Sequence, residues 1–338
     1  MTLALAAAVC SLAVPGPTDI ATASIVNAFA SRPVPCGGGL LAVGDEFCTH
    51  GGDLVPGSLG SRSLSALAPR DSSATDPCVG DGVSGRRVRV YYGYPSDTPE
   101  NASAYRTSIR QSVAMADANL DAQTPRAEGQ HLRIHCRNGR RVTVGSIALL
   151  PIGGDNAFTF DDVIESLVSR VENGLGNANM DTPRFTYVVF VDNVTCCFGP
   201  AGQGTIYWDD RADPDRNFNN RLETGPRFAM VELRGSTAAD AFVFLHEVGH
   251  TIGAVQVSAP HSTGWGHCYT TVDVMCSADG GPWFVGGGTM VSVCAQPPVG
   301  QFTFDCEGGD YYEVDPAPGS FLARHWNTAD SGWLTRPA

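Results

Sequence analysis

The pattern of apolar and polar positions becomes regular at about residue 87 of the 338-residue chain. Residues 87–94 (RVRVYYGY) alternate between polar and apolar side chains, which predicts a β-strand with one buried face. Residues 187–192 (YVVFVD) form an apolar, β-branched run, which predicts a central strand buried on both faces. Three further strands are predicted at residues 131–136, 142–150 and 228–233.

Three segments have their apolar residues spaced for helices. Two lie at residues 104–120 and 161–171, and the third runs from about Thr237 to Gly253. Thr237 is a favourable N-cap with Asp240 three residues later, and glycine is common just after a helix. Strands that alternate with helices predict an α+β (α/β-like) domain with a mixed, twisted sheet.

The N-terminal part of the chain is patterned differently. Residues 1–15 are apolar for about the length of a signal-peptide core, and residues 21–23 (ATA) offer a cleavage site, so residues 1–23 are predicted to be a signal peptide. Residues 24–77 are rich in Gly, Ser and Pro and predict a small cysteine-containing segment followed by a linker. Residues 78–338 are predicted to form the main domain.

Charge and cysteine content narrow the class of protein. A formal net charge of -13 argues against a nucleic-acid or anionic-membrane partner, because either would favour a basic face. Of the eleven cysteines, Cys10 would leave with the signal peptide, and the remaining ten fit a disulfide framework formed in an oxidising compartment. We therefore expect a secreted, soluble monomer with no membrane span.

Short loops favour three disulfide pairs, which are Cys36–Cys48, Cys268–Cys276 and Cys294–Cys306. Sequence does not fix the connectivity. For the second pair, separate pairing of its cysteines with Cys294 or Cys306 is the alternative.

The segment FLHEVGHTIG places two histidines and a glutamate, His246, Glu247 and His250, on the third predicted helix. Residues i and i+4 share one helix face, so both imidazoles can reach one Zn²⁺ ion at about 2.0–2.1 Å. Glu247 would then border the open position of the metal, where a water is deprotonated. Two histidines four residues apart also occur by chance, but this helix has a buried side and a glycine that ends it.

The arrangement resembles the metzincin pattern, HExxHxxGxx(H/D) followed by a Met-turn. His246, Glu247, His250 and Gly253 match its first part, and Met275 in the segment VMC matches the Met-turn. The resemblance implies a metzincin-type catalytic domain with one catalytic zinc ion. It also implies that Glu247 is the general base and then the proton donor.

Gln256 stands where the metzincin pattern has its third metal ligand. An amide oxygen is a poor zinc ligand beside imidazole, so we expect a later histidine to replace it. His267 precedes Met275 by eight residues, a separation similar to that of matrixins and archaemetzincins, and is favoured. His261 precedes Met275 by fourteen residues, closer to the adamalysin spacing, and is the alternative.

A narrower resemblance is to a group of secreted actinobacterial metzincin-like proteins. It rests on GAVQxSAPHxTxxxHCxxxxDVMC after the helix and covers most of the chain from about residue 36. Matching segments are CTHGGD at residues 48–53, GDGVSGRRVRVYY at 80–92, GQGTIYWDDR at 202–211 and the tail at 310–334.

The leading interpretation is a secreted zinc-dependent endopeptidase in which Glu247 deprotonates a zinc-bound water that attacks a peptide bond. The strand at residues 228–233 is expected to be the edge strand that holds an extended protein or peptide substrate. The alternatives are a non-catalytic cell-surface or matrix-binding protein on the same fold, and a zinc hydrolase of non-peptide amides. The presence of Glu247 argues against the first alternative, because a binding module has no need of a carboxylate there.

Two further segments are dense in oxygen donors and could hold Ca²⁺. They are residues 209–220 and 305–315. Neither matches an EF-hand loop, and solvated turns are the simpler interpretation of both.

Overall fold

The computed structural model describes the parts of the chain that follow the predicted signal peptide, with gaps. The described residues are 36, 40–43, 47–53, 77–123, 129–149, 159–172, 183–192, 201–283, 290–295, 302–306 and 308–335. All of them belong to one unit, Ser31–Ala338. The predicted signal peptide and most of the predicted linker lie outside these residues, so the division at residues 1–23, 24–77 and 78–338 stays a prediction. No helix in the described part is long and apolar enough to cross a membrane.

A mixed sheet of five strands forms the centre of the domain. In chain order the strands are β1 (Leu41–Val43), β2 (Phe47–Thr49), β3 (Arg87–Pro95), β4 (Cys136–Arg137), β5 (Arg141–Val142), β6 (Val144–Leu149), β7 (Phe185–Val191), β8 (Gly202–Gly204) and β9 (Arg227–Glu232). The central sheet has the order β6-β3-β7-β9-β8, while β1 with β2 and β4 with β5 form separate two-stranded pairs. Strand β8 is antiparallel to β9, and the other neighbours in the sheet are parallel. The predicted α+β class and mixed sheet are confirmed.

Three α-helices of the described part of the chain cover the two faces of this sheet. They are α1 (Ala102–Asp121), α2 (Phe160–Glu172) and α3 (Thr237–Thr251). Apolar residues of α1 and α3 pack with Val188 and Phe190 of β7, whereas those of α2 pack with Val189 and Val191. Because successive strand residues point to opposite faces, β7 is buried throughout, as its continuous apolar run predicts.

Helix α3 is buried along almost its whole length, from Ala238 to Thr251. Its N-cap is Ser236, whose hydroxyl accepts from the Ala239 amide, so the predicted cap at Thr237 was wrong by one residue. The helix ends before Gly253, which has a φ of 82°, a conformation that favours glycine. That turn sends the chain back towards the helix.

Two strand predictions need correction. Residues 131–136 do not form a continuous strand, because Leu132 and Ile134 make only isolated bridges to Leu334 and Val88. Residues 228–233 do not form the sheet edge, because β9 pairs with β7 on one side and with β8 on the other. Among the described strands of the central sheet, β8 therefore stands at the edge beside β9.

Four disulfide bonds tie the described residues together, and the three expected pairs are confirmed. They are Cys36–Cys48, Cys268–Cys276 and Cys294–Cys306. The fourth, Cys78–Cys136, closes a separation of 58 residues and was not foreseen from the sequence. Cys196 and Cys197 lie outside the described residues.

The Met275 segment packs directly beneath α3. Met275 is fully buried, and Cys268 and Cys276 form a parallel bridge as well as a disulfide bond. A Cβ atom placed on Gly249 of α3 would lie 2.5 Å from the Met275 sulfur and 3.1 Å from its methyl carbon. Glycine at position 249 therefore allows the helix and this segment to approach closely.

We expect Gly249→Ala to lower the free energy of unfolding by about 1–3 kcal/mol through overpacking against Met275. In a helix without such a contact, replacing glycine by alanine would raise the free energy of unfolding by about 1 kcal/mol. A loss of stability would therefore indicate the contact with Met275. Thermal and urea denaturation of both proteins would measure it.

The matched control is the same substitution in a Met275→Ala background, where the clash is absent. An equal loss of stability in both backgrounds would contradict the assignment of the effect to the Met275 contact.

Candidate metal centre

Helix α3 brings His246 and His250 together one turn apart. Their ring centroids are 4.6 Å apart and their Nε2 atoms are separated by 3.0 Å. Both side chains are buried, and both Nε2 atoms lie on the helix face that is turned towards β8 and the N-terminal residues. The i, i+4 spacing recognised in the sequence therefore gives the convergence that a shared metal ion needs.

His267 reaches the same place from the loop that follows α3. Its ring centroid lies 5.2 Å from those of both His246 and His250. The loop reverses through Gly264 and Gly266, whose φ values are 90° and 96°. Positive φ values at both positions are readily adopted by glycine, which allows the chain to return to the helix.

Hydrogen bonds to the opposite ring nitrogens orient two of the three imidazoles. The Nδ1 atom of His246 donates to the Val274 carbonyl at 2.6 Å, and that of His267 lies 2.8 Å from Asp279 Oδ2. Such contacts fix the tautomer and leave Nε2 available to a metal ion. The His250 Nδ1 atom has no hydrogen-bond partner in the described part of the chain.

The other two candidates for the third ligand lie away from this cluster. His261 pairs through Nδ1 with Asp310, at 2.7 Å from Oδ2. Gln256 accepts from the Asp209 amide and donates to the Tyr207 and Gly253 carbonyls, so its side chain holds a loop. Of the three candidates, the structure therefore brings His267 alone beside the helix histidines.

Two potential donors were not foreseen from the sequence, His50 and Asp53. Asp53 Oδ2 lies 3.0 Å from His246 Nε2 and 3.6 Å from His250 Nε2, and Oδ1 lies 2.7 Å from His267 Nε2. The His50 ring lies against that of His250, with centroids 3.9 Å apart and an angle of 39° between the ring planes. Both residues lie in the segment that composition assigns to an N-terminal element and linker. The sequence did offer one signal for them: a histidine and an aspartate, both potential metal ligands, stand three residues apart just after Cys48.

Backbone pairing with β8 carries Asp53 into the cluster. Thr49 and Asp53 form antiparallel bridges to Thr205 and Gly202. The Asp53 amide donates to the Gly202 carbonyl at 2.9 Å, and the Ile206 amide donates to the Cys48 carbonyl at 2.9 Å. The N-terminal residues thus run along the outer side of β8.

Glu247 is completely buried between α3 and β8. Neither of its carboxyl oxygens has a hydrogen-bond partner in the described residues. A Cβ atom on Gly202 would clash with Glu247 Oε1, and one on Gly204 would lie 2.8 Å from the Glu247 carbonyl oxygen. The two glycines of β8 therefore make the room that this carboxyl group occupies.

Burial and nearby charges shift the pKa values of several groups in the cluster. Burial lowers the pKa of His50 to about 3 and raises that of Glu247 well above its usual value, with Asp53 adding to the second effect. Burial alone would raise the pKa of Asp53, but His50, His267 and His246 hold it well below the usual range. Burial likewise opposes the rise of the His267 pKa to about 10, which Asp53 and Asp279 cause. Without a metal ion, the charges of Asp53 and His267 balance each other.

The donor set fits a divalent metal ion. A tetrahedral zinc ion with bonds of about 2.0–2.1 Å separates its ligand atoms by roughly 3.3 Å. Contacts of 3.0 Å between the two helix imidazoles and of 3.0 and 3.6 Å from them to Asp53 match that spacing. Among the described residues, the His50 Nε2 atom and the Glu247 carboxyl oxygens have no hydrogen-bond partner, which also indicates a polar centre that lacks a ligand. Imidazole and carboxylate donors suit zinc and its neighbours in the first transition series.

The segments considered for Ca²⁺ have their carboxylates engaged. Asp209 pairs with Arg211, and Asp305 accepts backbone amides from residues 309–312. Within the described ranges, three groups of His, Cys, Asp or Glu could share a metal ion, and neither segment contributes to them. The third group contains the disulfide-bonded Cys268 and Cys276, so the candidates are the other two groups, which share Asp53 and His250. His50 and His267 complete one of them, and His246 and Glu247 complete the other.

Comparison with known proteins adds little to this geometry. No family model and no curated protein matches the sequence. Metalloproteinase-II from Bacteroides fragilis is a structural match with 12% identity and a TM-score of 0.30, covering 69% of this chain. The match spans 57% of the length of that chain. Similarity at this level carries no argument about function, which therefore rests on the site.

We expect Asp279→Asn to weaken zinc binding by about 10–100-fold, because the amide cannot hold the His267 ring as the carboxylate does. Competition with a chromophoric chelator would measure the affinity. The control is Asp310→Asn, which removes the equivalent carboxylate from His261 and should leave zinc affinity unchanged. Equal losses in the two variants would show that Asp279 has no special relation to the metal.

Proposed function

We propose that this chain is a secreted, zinc-dependent endopeptidase of the metzincin type. The observation that carries the proposal is the convergence of three imidazoles, from His246, His250 and His267, beside the buried carboxyl group of Glu247, whose oxygens have no hydrogen-bond partner among the described residues. Three protein ligands and an adjacent carboxylate are what a zinc hydrolase requires. The four disulfides support an oxidising compartment, and hence secretion.

The three histidines would hold the zinc ion through their Nε2 atoms. Bound there, zinc supplies Lewis-acid chemistry, which polarises a carbonyl group and lowers the pKa of water. Glu247 accepts the proton of the attacking water and then returns it to the leaving amine. Its carboxyl group suits this role because no protein group among the described residues occupies its oxygens.

An extended peptide would be held by main-chain hydrogen bonds to the outer side of β8. This strand lies at the sheet edge beside α3, and its glycines face Glu247. Main-chain pairing to an edge strand is a common way to bind an extended chain, and it places the scissile bond next to the catalytic carboxyl group. Strand β9, to which this role was assigned from sequence, has both of its edges paired.

Glu247→Gln should retain zinc and lower the rate of peptide hydrolysis by about 10²–10⁴-fold, because Glu247 moves protons and does not bind the metal. Casein and a quenched peptide library would report hydrolysis, with zinc content measured in parallel. Both are to be measured also in an Asp53→Ala background, since the Asp53 carboxylate lies in the site. An unchanged rate of hydrolysis in the Glu247→Gln variants would contradict the role of Glu247 as general base. Hydrolysis of small amides but not of peptides would favour a non-peptide substrate.

His267→Ala should deplete the zinc, whereas His261→Ala and Gln256→Ala should leave most of it bound. The first variant loses an imidazole that lies in the cluster, and the other two lose side chains that bond to Asp310 and to a loop. Equilibrium zinc titration of the three proteins tests this order. Retention of full affinity in His267→Ala would end the three-histidine assignment.

A further inference from the structure

Basic side chains gather around one aromatic ring near the amino ends of strands β3 and β7. The guanidinium carbons of Arg89 and Arg184 lie 3.8 and 4.6 Å from the centre of the Phe185 ring. The centroid of the His135 ring lies 6.4 Å from the same point. Phe185 is buried, whereas Arg184 is exposed and Arg89 and His135 are partly exposed. The ring positions the two guanidinium groups by cation–π contact and leaves their charge unneutralised.

The two-stranded ribbon of β4 and β5 extends this group of basic side chains. Arg137 stands directly opposite Arg141 in the antiparallel ladder, and both are exposed. The Thr143 amide donates to the His135 carbonyl at 3.0 Å, so the pairing of the two chains continues beyond the ladder. Because side chains alternate along a strand, His135 and Thr143 lie on the same side of the ribbon as the two arginines.

The basic side chains are not balanced by carboxylates of the protein. We call them the basic face, which consists of Arg89, His135, Arg137, Arg141 and Arg184. Among the described residues, the arginines that form salt bridges all stand at other positions. Like charges that stand directly opposite each other destabilise a ladder. In a chain with a net charge of -13, an uncompensated group of cations is therefore an exception.

Buried polar atoms without a partner lie at the same place. They are Arg89 Nε, His135 Nδ1 and Thr143 Oγ1, none of which has a hydrogen-bond partner in the described part of the chain. The register of β3 with β6 pairs Val90 with Val144, so Arg89 and Thr143, which precede them, are neighbours on one sheet face. Buried polar atoms are nearly always hydrogen-bonded in native proteins. Three such atoms beside uncompensated guanidinium groups indicate a ligand that accepts hydrogen bonds and carries negative charge.

The electrostatic surroundings of His135 agree with this interpretation. The pKa of His135 is lowered to about 4, first by burial and then by the charges of Arg89, Arg87 and Arg184. The imidazole is therefore neutral at neutral pH and can donate a hydrogen bond through one of its nitrogens. An anion bound beside it would supply the counter-charge that the guanidinium groups lack.

The arrangement of the basic face favours a linear ligand with several anionic groups. Two strand residues span about 7 Å, so the pair of Arg137 and Arg141 lies about that far along the ribbon from His135. A single small ion would not reach both places. Guanidinium groups match the oxygens of sulfate and phosphate in pairs.

Two other linear or extended partners fit less well. A membrane surface or a nucleic-acid duplex is broad, and it would also meet the acidic remainder of the molecule. A single-stranded nucleic acid is commonly held by stacking its bases on exposed aromatic rings. Phe185 is only 2% exposed and has guanidinium groups over it, so it offers no such platform.

We propose that the basic face binds a linear polysaccharide that carries sulfate or phosphate groups. One such group contacts Arg89, His135 and Arg184, and the next contacts Arg137 and Arg141. The ribbon continues into β6, which lies at the opposite edge of the central sheet from β8. The binding site is therefore separate from the candidate metal centre and does not depend on the metal ion.

The test measures the binding of dextran sulfate to the full chain by calorimetry, with neutral dextran as the uncharged control. The variants are Arg184→Gln and the double variant Arg137→Gln with Arg141→Gln. We expect each to bind dextran sulfate at least about 10-fold more weakly, because charge-assisted hydrogen bonds are lost. The matched control is Arg216→Gln, which removes an exposed arginine that lies beside Asp213 and should leave the affinity unchanged.

Four results would overturn the proposal. They are the absence of dextran sulfate binding by the wild type, equally tight binding of neutral dextran, an equal loss of affinity in Arg216→Gln, and full affinity in Arg184→Gln. Inorganic sulfate that bound as tightly as dextran sulfate would show a site for a single ion. A single-stranded oligodeoxynucleotide that bound as tightly would show a site for any polyanion. Either of these outcomes also contradicts a polysaccharide site.

Thermal denaturation separates the loss of a ligand contact from a loss of folding. Removing two like charges that stand opposite each other should leave the melting temperature of the double variant equal to or above that of the wild type. Dextran sulfate should raise the melting temperature of the wild type more than that of the double variant. If the double variant melts at a lower temperature, Arg184→Gln alone decides the outcome. Zinc affinity should be the same in all of these proteins, and a change in it would contradict the separation of the two sites.

Discussion

The close approach of helix α3 to strand β8 is the constraint on which the rest of the site depends. Glu247 lies at this contact, and side chains larger than hydrogen at Gly202 or Gly204 would collide with it or with the helix backbone. On the other side of the same helix, Gly249 allows the Met275 segment to approach. Helix α3 is thus held between two surfaces at backbone distance, which fixes the direction of its imidazoles. Close packing of this kind leaves little freedom for side chains to adjust.

Burying several ionisable groups in one cluster costs folding free energy, and nearby charges and hydrogen bonds offset this cost. An isolated buried charge is strongly destabilising, whereas paired and hydrogen-bonded charges are tolerated. Here the carboxylates of Asp53 and Asp279 lie on either side of His267, and the Val274 carbonyl accepts from His246. Among the described residues Glu247 has no such partner, and burial together with the Asp53 carboxylate raises its pKa. A metal ion bound among these groups would replace protons by a localised positive charge.

The local parts of the site could be predicted from sequence because they depend on helix geometry. The positions of His246, Glu247 and His250 follow from a spacing of four residues on a strongly apolar helix, and β7 follows from its continuous apolar run. His267 was favoured over His261 by its separation from Met275, and the structure places it beside the helix histidines. The secondary structure around these residues is dictated by short-range pattern.

The parts that were not foreseen depend on pairing between distant segments. Asp53 precedes His246 by 193 residues and reaches it through backbone hydrogen bonds to β8, which carry no side-chain signature. The edge position of β8 was missed for the same reason, since its three residues are rich in glycine and give no strand pattern.

The disulfide bond between Cys268 and Cys276 has a consequence for the metal-free protein. Because it joins the residue after His267 to the residue after Met275, the entropy of ordering the loop is lost during folding and not at metal capture. The candidate metal centre is therefore preorganised, and an ion that binds after folding would find the histidines already in position.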